Sequence, residues 1–364
     1  MAKDSFLYTK LYNTLKSRIK SGEYAKGILL PSEREISMEF QVERGTVRKA
    51  LEMLVQDQLV EKQAGVGTRI VTGKPHSASG VSSGKRRVIG LIMADSPEHP
   101  RKLSQPYYAD LFSSLEEECS YNNCQLIYAS VPNDRELLDF FQSHDFLSMV
   151  FVTRTHDSWL QLAQKMNIPI ILVNEQRQDL VSISYNNSDG AYMVLSEFAK
   201  YGHKNIGLIS GPQDYYTTRE KMAGCYRAII EHGLSVPPRN IVYGNWEYQS
   251  GVACARQLLA DRPLQERPTA VFAFNDMMCV GAMRALRELS LRIPEDVSIM
   301  GFDNMNQLKY MEPSLSTIDA NIGLMAKVIL ECVTSHFGQS VPGLKIQVPV
   351  HVVHRETVCA TANS

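Results

Sequence analysis

The chain predicts an α/β protein in two parts. A small helical head closed by a β-hairpin comes first, then a two-lobed body of doubly wound parallel sheets with helices on both faces. Three observations predict it. From Val88 onward, short apolar runs alternate with helix-length amphipathic stretches, the pattern of repeated strand–helix units. Before residue 73 the apolar residues instead recur at helical spacing, and only the last stretch is strand-like. Between these regions, residues 73–87 hold three Gly, four Ser and one Pro with no apolar period, which reads as a flexible linker.

Bulk properties narrow the classes. At 364 residues the chain is long enough for two or three domains, and 44% hydrophobic and 21% charged content is ordinary for a globular protein. The net charge of −1 hides a split: residues 1–87 hold 16 Lys and Arg against 9 Asp and Glu, and the rest of the chain is acidic. A basic front on an acidic body is expected when one part meets nucleic acid and the other does not. Seven cysteines are scattered with no Cys-x-x-Cys, which favours buried free thiols over a disulfide framework or zinc ribbon. The start, Met1-Ala2-Lys3-Asp4, has no apolar signal core, and no apolar run approaches the ~20 residues of a membrane span. A cytoplasmic protein without membrane contact is expected, and no cofactor or metal is called for.

In the head, Leu7, Leu11, Leu15 and Ile19 step by four and predict an amphipathic helix over residues 6–21, closed by Gly22. Ile28 and Leu29 form a short apolar pair before Pro31. Ser32 then starts a second helix, and Glu35 three residues later completes a capping box. Ile36 and Phe40 give that helix its apolar stripe, and Gln41–Glu43 form a turn. Val47, Leu51, Leu54 and Val55 give the third helix a buried face. Arg44, Arg48 and Lys49 occupy its start and outer side. A helix that buries one side and offers arginines from its first turns fits a DNA major groove, although a basic outer face is more commonly just solvated. Residues 59–63 and 68–71 flank Gly65-Val66-Gly67 as a hairpin, and the whole is a winged helix-turn-helix. A nucleotide loop is rejected there, because Ile70 stands where a third Gly would be and no P-loop Lys follows.

These residues resemble the gluconate-repressor (GntR) family of bacterial transcription regulators. The resemblance rests on Tyr8, Ile19-Lys20-Ser21-Gly22, Leu30-Pro31-Ser32-Glu33-Arg34-Glu35, Val42, Arg44, Thr46-Val47-Arg48-Lys49-Ala50-Leu51, Leu54 and Gly65-Val66-Gly67-Thr68. It covers residues 6–72. It implies that Arg34, Arg44 and Arg48 contact operator DNA, beside Gly45, Thr46 and Lys49, while the wing turn at Gly65 and Gly67 enters the minor groove. Glu43 departs from the family's usual Ser or Thr.

In the body, Val88–Met93 is a continuous apolar run suited to a buried parallel strand. Helix 107–121, strand 124–129, helix 134–142, strand 149–152, helix 158–166 and strand 170–173 follow. A second set runs helix 188–201, strand 206–210, helix 219–232, strand 240–243, helix 249–260, strand 270–274, helix 277–289 and strand 297–302. Two such sets suggest two lobes and a cleft. Ligands in open α/β sheets bind beyond the carboxyl ends of strands, and polar residues recur there: Asp95, Thr153 and Arg154, Asn174, Asn275 and Asp276, Asp303 and Asn304. Any one of them alone is more simply a loop or capping residue. Asp276 in particular is well placed as an N-cap, and His203 reads as a turn-ordering residue rather than a base.

This body resembles the lactose/galactose-repressor (LacI–GalR) family, whose fold is that of type I periplasmic binding proteins. The residues are Asn187-Ser188-Asp189-Gly190, Gly202–Ile209, Arg219–Gly224, Asn275-Asp276-Met277-Met278, Gly281–Leu286, Ile293–Asp303 and Pro313–Ile318, with the resemblance covering 88–358. The combination with this head is similar to arabinose-repressor-type regulators. It implies an effector between the lobes, with Asp303, Asn275 and Asn174 binding hydroxyls, Trp246 stacking on a sugar face, and Tyr107 or Tyr108 lining the first lobe. The basic ligand of the second lobe becomes Lys221, with Arg219 two residues before it.

The expected domains are 1–72, a linker at 73–87, and 88–364. Lobe 1 spans about 88–185 and 320–342, and lobe 2 about 186–319 and 343–358. The expected function is a transcriptional regulator, a repressor of carbohydrate-utilisation genes. It acts as a homodimer on an inverted-repeat operator of double-stranded DNA, controlled by a sugar-like effector. Two alternatives stand beside it. One is a sugar- or nucleotide-processing enzyme using Asp303 and Asp276 as an acid–base pair. The other is a sugar-binding protein of transport, against which the basic head and the missing signal core speak.

Overall fold

The structure is a computed structural model that describes residues 8, 11–12, 14–16, 18–19, 29–56, 59–63, 67–70, 87–94, 102–131, 133–260, 262–335 and 341–361. The chain divides into two compact units, Met1–Gly84 and Lys85–Ser364.

In the front unit, Ser32 caps helix Glu33–Glu39 reciprocally. The Glu35 amide donates to Ser32 Oγ at 3.3 Å, and the Ser32 amide donates to Glu35 Oε2 at 2.7 Å. Gln41 takes a left-handed conformation (φ 52°) and turns the chain into helix Arg44–Gln56, whose first free amides, those of Thr46 and Val47, donate to Glu43 O. Val47, Ala50, Leu51 and Leu54 face inward and meet Leu11, Leu15, Ile19 and Ile36 in one core. Val55, expected on that face, is exposed instead, because it lies one position beyond the arc the core covers. Strands β1 (Val60–Gln63) and β2 (Gly67–Ile70) pair antiparallel, and Leu29 bridges to Arg69 on β2. Leu7, Gly22 and the wing tip at Gly65 lie outside the described residues.

The body holds two parallel sheets. Lobe 1 has six strands in the order β13-β7-β6-β5-β3-β4: β3 is Arg87–Ala94, β4 Cys124–Val131, β5 Phe146–Val152, β6 Ile170–Val173, β7 Val181–Tyr185 and β13 Lys345–Val348. Lobe 2 has four in the order β11-β10-β8-β9: β8 is Ile206–Ser210, β9 Ile241–Tyr243, β10 Ala270–Ala273 and β11 Ser298–Met300. Strands β5, β6, β8 and β10 are buried along their whole lengths apart from one position of β5, as expected of strands sandwiched between helix layers. A short antiparallel pair, β12 (Thr317–Asp319) and β14 (His351–Val353), belongs with lobe 2.

One assignment of the lobes needs correction. Residues 343–358 were expected in lobe 2, but Lys345–Val348 adds to the edge of the lobe 1 sheet, register-paired with Val181–Tyr185. The chain therefore crosses between lobes after β7, after β12 and after β13. Helix Ile322–Thr334 packs on helix Pro106–Tyr121 of lobe 1. All seven cysteines are free, and six are buried.

Candidate functional site

The carboxyl ends of the strands converge on one narrow cavity between the lobes, of about 70 Å³. Lobe 1 contributes Thr153 after β5, Asn174 after β6, Tyr185 at the end of β7, and Tyr107 and Tyr108 from helix Pro106–Tyr121. Lobe 2 contributes Trp246 after β9, Asn275 after β10, Phe302 and Asp303 after β11, and Lys221 from helix Tyr216–His232.

Four of these residues are held at positive φ without being glycine: Thr153 (67°), Asn174 (56°), Trp246 (74°) and Asp303 (126°). Such conformations are costly and persist where surrounding structure enforces them, commonly at ligand sites. Here they aim four side chains from different strand ends into one space.

The lobe 1 wall is a hydrogen-bonded chain: Asn174 Nδ2 donates to Tyr107 OH at 2.8 Å, and Tyr107 OH donates to Tyr185 OH at 3.2 Å. Tyr108 shares a hydrogen bond with Thr153. Burial raises the phenols of Tyr107, Tyr108 and Tyr185, so all three are neutral hydrogen-bonding groups.

Lobe 2 supplies the charge. Lys221 is 4% exposed, donates from Nζ to Phe274 O at 2.9 Å, and stands 3.8 Å over the Phe302 ring. Burial lowers its affinity for a proton, while the nearby negative charges of Asp303 and Asp276 oppose that shift. Burial raises Asp303 above the ordinary carboxylate range, opposed by the Lys221 charge. Trp246 lies with its indole against the backbone of Gly211. A Cβ there would come within 2.1 Å of the ring, so only glycine admits this approach. The Tyr215 ring meets Trp246 edge-on at 5.8 Å.

Among the described residues, five buried side-chain polar atoms lack a partner, and three of them belong to residues lining this cavity: Asn174 Oδ1, Asn187 Oδ1 and Trp246 Nε1. Buried polar atoms are normally satisfied, and these three open bonds cluster around one space.

The structure brings seven of the ten expected effector residues to this cavity: Tyr107, Tyr108, Asn174, Lys221, Trp246, Asn275 and Asp303. Arg154 and Arg219 are not among its lining residues. Arg154 pairs with Asp214, and Arg219 donates to Asp214 O at 2.8 Å; both arginines are exposed, because the backbone at Thr153 and the register of the helix turn them outward. Asp95 lies outside the described residues. Asn275 lines the space but is half committed: its Oδ1 accepts from Met278 N and its Nδ2 donates to Trp246 O. It, rather than Asp276, is the N-cap of helix Asp276–Glu288.

Asp276 does not pair with Asp303 as an acid and base. It is fully buried and does not line the cavity; its oxygens accept from Thr317 Oγ1 at 2.6 Å and Met305 N at 3.0 Å. His203 does more than order a turn. It ties Thr269, Ser298 and Cys359 O together at 2.9–3.0 Å, fastening the irregular segment around Cys359 to lobe 2. Among the lining residues that sequence reading did not assign to the site, Tyr185 ends β7, Asn187 opens helix Asn187–Lys200 and Tyr215 is the N-cap of helix Tyr216–His232. Only the end-of-strand position of Tyr185 could have signalled it.

In the front unit, Arg34, Arg44, Gly45, Arg48 and Lys49 are exposed and Thr46 is partly buried. Arg48 Nε donates to Glu33 Oε2 at 2.9 Å, which leaves both terminal nitrogens of its fork outside that bond. Lys49 Nζ stands 5.5 Å over the Tyr8 ring. Gly45 has open space where a Cβ would be, and Gly67 opens β2 at φ 130°.

Comparison with known proteins agrees with both units. Residues 7–70 match the bacterial regulatory proteins of the gntR family, and residues 195–358 match the periplasmic binding protein-like domain. The chain is 32% identical over 244 residues to the HTH-type transcriptional repressor PurR of Klebsiella pneumoniae (strain 342), covering 63% of this chain and 67% of that one. It is 30% identical over 260 residues to PurR of Haemophilus influenzae (strain PittEE), covering 68% and 74%. Among solved structures, the transcriptional regulator CelR–cellobiose complex has a TM-score of 0.65 at 21% identity, covering 90% of this chain and 100% of that one. The lac repressor dimer bound to operator and the anti-inducer ONPF has 0.66 at 21%, covering 76% and 96%. These two likenesses concern the fold. The chain belongs to the PurR/LacI family of ligand-controlled, DNA-binding transcriptional repressors, and it carries a gntR-family helix-turn-helix domain at its front.

Proposed function

We propose that the inter-lobe cavity binds a sugar-like effector and thereby controls operator binding by the front domain, in a cytoplasmic homodimer that represses carbohydrate-utilisation genes. One observation carries this reading: three unpartnered buried polar atoms, one of them the Trp246 indole nitrogen, and the Asp303 carboxyl surround one inter-lobe cavity. Asp303, Asn174 and Asn275 take hydroxyls, Trp246 offers a ring against an apolar sugar face, Tyr107 and Tyr108 line lobe 1, and Lys221 holds the charge of Asp303. The cellobiose described with CelR is consistent with such a ligand on this fold.

In the head, Arg34, Arg44 and Arg48 read base edges. Gly45 and Thr46 let the helix start approach the backbone, Lys49 adds phosphate affinity, and the wing at Gly65 and Gly67 meets the minor groove. A dimer would place two heads on an inverted repeat. Among the described residues no helix is long and apolar enough to cross a membrane.

The test combines a thermal-shift screen of sugars with gel retardation of the protein's own promoter fragment. A sugar that raises the melting temperature and changes retardation supports the reading. Failure to retard that fragment at low salt contradicts it.

A further inference from the structure

The start of helix Arg44–Gln56 carries one side chain of the wrong sign for a surface that meets phosphates. Glu43 is the residue just before that helix, and its carbonyl takes the Thr46 and Val47 amides at 2.9 and 3.2 Å. Glu43 is exposed, as is Arg44. The helix buries its other side through Val47, Ala50, Leu51 and Leu54, so Glu43 and Arg44 stand at the beginning of the face left outside. Gly45 follows with open space where a Cβ would be, so no side chain there holds the helix start away from a partner. The three glutamates of the preceding helix are each engaged: Glu33 with Arg48, Glu35 with Ser32 and Glu39 with Arg18. Among the described residues, no hydrogen bond or ion pair engages the Glu43 carboxylate.

We propose that Glu43 is a specificity-determining residue that accepts from the N4 amino group of a cytosine in the operator's major groove. This rests on the operator reading above and adds to it. In helix-turn-helix docking, the first residues of the second helix meet base edges. There an ionised carboxylate can only accept, and phosphates offer it nothing but repulsion. Of the base edges, guanine shows two acceptors, thymine an acceptor and a methyl, and adenine an acceptor beside its amino group. Cytosine alone offers a donor with no acceptor of its own next to it. Consecutive Cα atoms lie about 3.8 Å apart, close to one base step of ~3.4 Å. The cytosine therefore belongs in or beside the base pair that Arg44 reads.

The test is gel retardation of the full chain on its own promoter fragment, with each base pair of the protected half-site replaced in turn. For the parent, replacing one particular C·G pair should weaken binding by about fivefold or more. Glu43→Gln should move the preference at that pair from cytosine to adenine, because a Gln amide pairs with adenine N6 and N7. Glu43→Thr should lose the preference there. Its affinity for unrelated duplex should rise, because a negative charge has left the phosphate-facing surface. Circular dichroism of both variants should match the parent, which separates a folding defect from a loss of reading. Parental base preferences kept by both variants overturn the proposal and leave the operator reading standing. So does an effect of the two substitutions on melting temperature alone, the mark of a carboxylate that only steadies the helix start. A parent that retards no part of the fragment overturns both.

Discussion

Asp303 is the residue on which the binding chemistry turns. Its left-handed backbone, φ 126°, is held by its amide donating to Ile318 O at 2.9 Å, so the carboxyl is aimed by the sheet rather than by its own preference. Burial raises its affinity for a proton. An effector that donates hydroxyls to it needs the charged form, so affinity should fall as pH is lowered through the raised value of about 7. In Asp303→Asn that slope should vanish, which calorimetry at stepped pH would show; a parental slope retained in the variant contradicts the assignment. Gly211 permits a second test. Gly211→Ala puts a methyl into the Trp246 indole. It should therefore weaken effector binding by about tenfold or more while the operator is still retarded.

At this scale the sequence was informative about position and not about direction. Asn174 and Asp303 were legible because they follow apolar runs at strand ends, and Trp246 only through the family resemblance. Arg154 looked equivalent by the same rule, but its neighbour Thr153 takes φ 67° and fills the place, turning the arginine to Asp214. Backbone sign at a single residue has no periodicity to betray it.

At the scale of elements, caps and seams decide. The reciprocal bonds between Ser32 and Glu35 were readable from spacing, and Ser32→Ala should destabilise the front unit by about 1 kcal/mol in denaturant melts. The His203 seam was not readable, since its partners Thr269, Ser298 and Cys359 are 66, 95 and 156 residues away. Burial lowers the pKa of His203, so the unfolded chain takes up a proton there more readily than the folded one. This group's contribution to stability is therefore present above the unfolded value of about 6.5 and is lost as pH falls below it. His203→Gln should flatten that acid-side loss in melts between about pH 7 and 5, and an unchanged slope would assign the loss elsewhere.

Strand β7 was missed because Val181-Ser182-Ile183-Ser184-Tyr185 alternates like a half-exposed strand, although all five residues are buried. Strand β13 was put in the wrong lobe because an edge strand's partner is set by a crossing that spacing does not record. Helix Ile322–Thr334 is an apolar run buried on several sides, and periodicity alone does not separate such a run from a strand.

For the molecule as a whole, the order of parts was legible from composition: a basic head, a Gly/Ser-rich stretch and an acidic α/β body. The chain joins a gntR-type reader to a two-lobed body, and control requires only that the effector bind the DNA-competent and DNA-incompetent states with different affinity. The labour should divide. Arg44→Ala should abolish specific retardation and keep the thermal shift by effector, whereas Asp303→Ala should lose the shift and keep retardation. Each variant disabling both activities would mean that the two units are not separable in function.

The central claim is coupling between the cavity and the head, and an operator-binding titration with and without saturating effector measures it directly. The account predicts that the operator dissociation constant moves by about fivefold or more, and that operator shifts effector affinity by the same factor. Superimposable titrations, with effector shown by calorimetry to be bound in both, would contradict it.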